Sequence, residues 1–312
     1  NNLKLIKGEN IMQLHLIESD KIYKEILETP IEKRDEVFKQ KLLVPFINKF
    51  KIQNISFDEN IPFNVMTLMS FMHKMPKDLK EEDISSINRF DNKFWKNISD
   101  AFHHSIETFT SRGVKLPVKD YYLTALLGNP SSPMLSINEN YGGDGGIPGY
   151  IFLSLVPNDY TINRIASAVA HECNHNIRYQ FIEWGKGPLK EMIVSEGLAE
   201  NFAEKMYGKE NIGPWVTKND LDTLNQVIKP IIKENLFIDN MQEAMPYLYG
   251  DEITKMQGGK SVGLPYASGY TCGYYLIKYY LQKTGLSIEE ATLKTADEIL
   301  DEVGEFWSQT TK

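Results

Sequence analysis

His171-Glu172-Cys173-Asn174-His175 is an H-E-x-x-H pentapeptide, and it limits how the surrounding chain can fold more than any other stretch. Residues four apart on a helix share a face, with Cβ atoms about 5–6 Å apart. Two imidazoles so placed reach one zinc ion at about 2.0–2.1 Å per bond. The glutamate between them lies beside the metal, where it can take a proton from the water the metal activates. The motif needs a helix, and the local pattern supplies one. Across residues 161–181, Ile162, Ile165, Ala166, Val169, Cys173 and Ile177 recur at three- and four-residue spacing. At about 100° per residue this stripe lies opposite the line of His171, His175 and Arg178. A surface helix without metal shows the same opposition. The helix alone leaves both readings open.

Residues 189–207 read as a second helix, with Leu189, Met192, Ala199, Ala203 and Tyr207 along one side. Glu196 and Glu200 fall in that same side. A carboxylate facing an apolar interior is costly unless it is paired or metal-bound. Twenty residues lie between His175 and Glu196, room for a turn and an antiparallel return. Gly185, Gly187 and Pro188 mark the turn. Glu196 is thus placed as a third ligand, completing a His₂Glu set with an open position for water. Glu200, one turn on, is expected to accept a hydrogen bond from a ligand histidine and fix its tautomer. The competing reading pairs either glutamate with Arg178 or Lys205.

Ala170-His171-Glu172-x-x-His175-x-x-Arg178, then Ser195-Glu196-Gly197-Leu198-Ala199-Glu200 and Tyr207-Gly208, resemble the bacterial predicted zinc-dependent proteases catalogued as a domain of unknown function. In ligand order these are similar to the gluzincins, the thermolysin-like metallopeptidases. The resemblance covers about residues 145–285 and does not reach the N-terminal hundred. It implies zinc on His171, His175 and Glu196, Glu172 as general base, and Glu200 behind the ligands; Arg178, on the histidine line, is expected there too. Gly269-Tyr270-Thr271-Cys272-Gly273-Tyr274 resembles the family's later Gly-Tyr-x-x-Gly-Tyr element. In thermolysin-like enzymes the strand before the histidine helix pairs with the substrate backbone, and residues 150–155 look like that edge. Gly197, beside the third ligand, is expected to let a neighbouring helix approach closely.

The fold expected is α+β and mostly helical: a zincin-like metallopeptidase with a small sheet before the histidine helix and a helical C-terminal lobe. Residues 121–128 and 149–157 are short apolar runs that read as strands, while 20–50 and 61–110 are helical in pattern. Past Asn219 helices are expected over 221–235, 265–284 and 287–303, the last opened by a capping box at Ser287. The regions read as an N-terminal helical region at 12–115, a catalytic core at 116–210 and the C-terminal lobe at 211–312. Residues 1–11 are expected to be a non-native or disordered leader, because Lys7-Gly8-Glu9 can be encoded by a ribosome-binding sequence spaced for a start at Met12. The cluster Gly142-Gly143-Asp144-Gly145-Gly146 reads as a turn or mobile loop. It cannot complete a dinucleotide fingerprint, because position 148 is Pro148.

At 312 residues, with 42% hydrophobic and 24% charged, the chain can bury a sizeable core. A net charge of −8 argues against nucleic acid or an anionic membrane as partner. With no transmembrane run and no secretory signal, a cytoplasmic location is expected. Cys173 and Cys272 are too few for a disulfide framework and read as buried small residues.

These features point to a zinc metallopeptidase acting on a peptide or protein. The rivals are another kind of zinc hydrolase and a non-catalytic metal-binding regulator. An oxyanion donor is also needed. Tyr270 is the first candidate and Tyr274 the alternate, although most tyrosines of such an aromatic helix simply pack with their hydroxyls satisfied.

Overall fold

The computed structural model describes residues 12–183 and 187–312. The expected leader, residues 1–11, and the turn residue Gly185 lie outside that description. The protein is mostly helical with one small sheet, the α+β class expected. Packing divides it into two units: residues up to Thr110 with Val114–Glu172, and Ser111–Gly113 with Cys173–Lys312. The division falls inside the histidine helix, Asp159–Arg178, so one continuous helix carries the whole pentapeptide.

The first unit is built on a four-stranded sheet in the order β1 (Gln13–Ile17), β2 (Asp120–Leu127), β4 (Tyr150–Leu155), β3 (Tyr141–Ile147). β1, β2 and β4 run parallel, and β3 pairs antiparallel with β4. The inner strands β2 and β4 are buried on both faces over most of their length, which is why they read as continuous apolar runs. The His73 ring, buried nearby, bonds Ser154 Oγ of β4 at 2.7 Å, and burial lowers its pKa to about 4. It is a neutral core histidine.

Two expectations about this sheet need correction. Tyr150–Leu155, expected as the edge, is an inner strand between β2 and β3. Residues 142–146, expected as a loop, belong to the edge strand itself. Glycine usually weakens a strand, but it also marks places where another backbone comes close. Gly149, at φ 86°, turns the chain from β3 into β4; glycine takes that conformation without steric cost. Asp144 of β3 is braced by Lys49 Nζ, at 2.5 Å, from the helix Ile47–Ile52. Burial pushes the Asp144 carboxyl up, but the Lys49 ammonium outweighs it and holds the group below its ordinary range.

The second unit is helical. Its two long members are the glutamate helix, Pro188–Tyr207, and the tyrosine helix, Ser268–Thr284. They cross at Gly197 and Gly273. A Cβ on Gly197 would run into the Gly273 carbonyl, and one on Gly273 would lie 3.1 Å from the Gly197 nitrogen. The close approach expected of Gly197 is therefore present. Its partner is the second glycine of the Gly-Tyr-x-x-Gly-Tyr element.

Residues 287–303, expected as one helix, form two: Ile288–Thr292 and Ala296–Glu302. The capping box expected at Ser287 forms with Glu290, and a second, Thr295 with Glu298, starts the next helix. Reciprocal capping satisfies end groups that a continued turn would not leave open, so the chain restarts there. Among the described residues no helix is long and apolar enough to cross a membrane.

Candidate metal centre

The histidine helix starts at a reciprocal cap. Asn158 Oδ1 accepts from the Thr161 amide at 3.0 Å, and Thr161 Oγ1 accepts from the Asn158 amide at 3.1 Å. From residue 165 to 179 every position is buried, so the helix has no solvent face there. His171 is 5% exposed and His175 6%. Histidines that merely sat opposite a core stripe would be in water, so the surface-helix reading fails. Buried ring nitrogens need partners.

Glu196 projects from the glutamate helix toward the same place. Its Oε2 lies 3.3 Å from His175 Nε2. One ligand atom each from His171, His175 and Glu196 all lie within 4.8 Å of one another. Among the described residues this is the one such group of three or more His, Cys, Asp and Glu side chains. Two imidazole nitrogens and a carboxylate oxygen, without thiolate, are the donors of a His₂Glu zinc site. The donor set fits zinc.

The salt bridges that would have explained the glutamates otherwise are made with other residues. Arg178, fully buried, forms a two-point pair with Glu191, at 2.8 and 2.9 Å. It also donates to the carbonyls of Thr292 and Lys294. Lys205 pairs with Glu289. Arg178 thus anchors the end of the histidine helix. Glu200, 2% exposed, accepts from the Gly213 amide and from Trp215 Nε1, the latter at 2.9 Å.

The partner of His175 Nδ1 is Ser195 Oγ, at 2.8 Å, and Tyr179 Oη lies 2.7 Å from that same oxygen. Burial holds the Tyr179 hydroxyl well above its ordinary pKa, with Glu191 adding to the effect. The sequence reading overlooks Ser195, although it adjoins Glu196 in the motif. It also overlooks Trp215, for which no local pattern gives a signal.

Glu172, 6% exposed, faces the glycine strand. A Cβ on Gly143 would sit 2.6 Å from the Glu172 carboxyl carbon, and one on Gly145 would sit 2.9 Å from the Glu172 carbonyl carbon. β3 therefore runs against this residue as bare backbone: a side chain at 145 would strike the Glu172 backbone, and one at 143 would displace the Glu172 carboxylate.

The two tyrosines differ. Tyr274 donates to Glu204 Oε2 at 2.7 Å and accepts from Lys278 Nζ at 2.9 Å. Burial and then the Glu204 bond push its pKa up. Tyr270 packs its ring 6.3 Å from that of Trp215 and 6.1 Å from that of Tyr249.

A family model described as "Predicted Zn-dependent protease (DUF2268)" matches residues 94–301. The chain belongs to this family. The match extends on both sides of the span expected from the motifs and contains the whole metal group and β2 to β4. The chain is also similar to the uncharacterized protein YjfC of Bacillus subtilis (strain 168), at 29% identity over 291 residues, 91% of this chain and 96% of that protein. No solved structure matches it. For this member of the predicted proteases, the residues themselves must carry any finer reading.

Proposed function

We propose that the protein is a zinc-dependent metallopeptidase with a zincin-like core, hydrolysing peptide bonds with Glu172 as general base. The observation that carries this reading is the convergence of one ligand atom each from His171, His175 and Glu196 within 4.8 Å of one another, with Glu172 next to His171 in the chain. Bound there, zinc would polarise the scissile carbonyl and acidify a water. Glu172 takes a proton from the attacking water and gives it to the leaving nitrogen. β3 offers an edge for an extended peptide to pair with, in place of Tyr150–Leu155. Tyr270, the first tyrosine of the Gly-Tyr-x-x-Gly-Tyr element, is the oxyanion donor we favour; the Tyr274 hydroxyl is bonded to Glu204 and Lys278.

The purified protein should hold about one zinc per chain. Metal analysis after dialysis against a weak chelator checks this, with the His171→Ala, His175→Ala double variant as control. Equal zinc in that variant and the wild type would reject the site.

Glu196 and Glu200 should fail differently. Glu196→Ala removes a direct ligand and should weaken zinc binding far more than Glu200→Ala under the same competition. Glu200→Ala strands the Gly213 and Trp215 donors in the interior and should instead cost about 1–3 kcal/mol of stability. Chelator competition and urea unfolding on both variants separate the two. The reverse order of zinc loss would make Glu200 the ligand.

A further inference from the structure

We propose that Ser195 and Tyr179 are positioning residues that hold the His175 ring in the tautomer a metal requires. The inference rests on the metal reading above. A neutral imidazole has one N–H and one bare nitrogen, and which is which depends on the partner each nitrogen meets. The nitrogen facing Glu196 is Nε2, so for a metal held between them Nε2 must be bare and Nδ1 must carry the hydrogen, whereas without metal the Glu196 carboxylate would itself accept from Nε2. Nδ1 meets Ser195 Oγ at 2.8 Å, and Ser195 is fully buried, so bulk water is not at hand to replace it.

A serine alone does not settle the matter, because its hydroxyl rotates and can either accept from Nδ1 or donate to it. Tyr179 supplies the bias. Two hydroxyls 2.7 Å apart can run their bond in either direction. When Nδ1–H donates to Ser195, the serine can pass its own hydrogen to Tyr179 Oη. The bonds then run head to tail, His175 to Ser195 to Tyr179, an order in which each strengthens the next. Tyr179 is one turn beyond His175, directly after the end of its helix, with its ring nearly parallel to the imidazole at 11°. The relay is thus built by the end of one helix and by the glutamate helix, at the residue preceding the proposed third ligand.

Nitrogen NMR of histidine-labelled, metal-free Glu196→Ala protein reads the tautomer directly, with the carboxylate that would accept from Nε2 removed. It should show His175 with Nδ1 protonated and Nε2 bare. On that background Tyr179→Phe removes an oxygen that can accept the Ser195 hydrogen, and should raise the opposite tautomer. Ser195→Ala should abolish the preference and weaken zinc binding about 10–100-fold in chelator competition. On the Ser195→Ala background, Tyr179→Phe should add no further loss, since the relay is already cut. Additive losses, or an unchanged tautomer in Tyr179→Phe, would overturn the proposal. Should Ser195→Ala not fold, the Tyr179→Phe spectrum alone decides. The expected tautomer in the Glu196→Ala protein beside a wild type with no zinc affinity would remove the metal reading and leave the relay standing.

Discussion

Replacing Glu172 by Gln should lower peptide hydrolysis by about 10²–10⁴-fold while zinc content stays at the wild-type level. Gln fills the same space against Gly143 and Gly145, so the strand and helix should keep their places. What it cannot do is accept a proton. Cleavage of a mixed peptide library by matched, zinc-loaded samples gives the ratio. A variant that cuts at the wild-type rate would take the general base away from Glu172 and with it the proposed mechanism. A variant that loses zinc along with activity would instead mean that Glu172 supports the metal.

Arg178→Met should be the most destabilising single change near the centre, at about 3–5 kcal/mol. It leaves the Glu191 carboxylate buried without its two-point partner, and removes the donor to Thr292 and Lys294. Urea unfolding should show a lower midpoint, and the Arg178→Met, Glu191→Met double variant should recover part of the loss, because no lone charge stays inside. A loss below about 1 kcal/mol would place Arg178 among ordinary surface positions, contrary to its burial. Arg178 lies three residues from His175, so zinc affinity should fall with stability.

Local pattern revealed most of the helices and the residues of the candidate metal group. Three- and four-residue spacing located the histidine helix to within a few residues, and the inward glutamates marked the facing helix before any partner was visible. Gly197 was legible for the same reason: a glycine inside a strong helix needs a packing cause. The edge strand was not. A run of glycines has low strand preference, and β3 forms because β4 pairs with it and because it must pass Glu172 as bare backbone.

The fates of the polar residues were equally hidden. Arg178 has two glutamates of the proposed centre within reach by helical reasoning, yet it pairs with Glu191, and Glu200 bonds Trp215. Those choices depend on which elements meet in space. The break in the last helix was half visible, since Thr295-x-x-Glu298 is itself a capping sequence inside an otherwise helical run.

The crossing of the glutamate and tyrosine helices sets a mechanical tolerance. Glu196 precedes Gly197 in the chain, and Gly197 rests on the Gly273 backbone with no side chain between. A ligand set accepts errors of about 0.2 Å in bond length. One added methyl group at the crossing would force the helices apart by more than that, and would carry the Glu196 oxygen with them. The contact works as a hard stop in an instrument: it has no polar side chain, yet it fixes how far the proposed third ligand can advance.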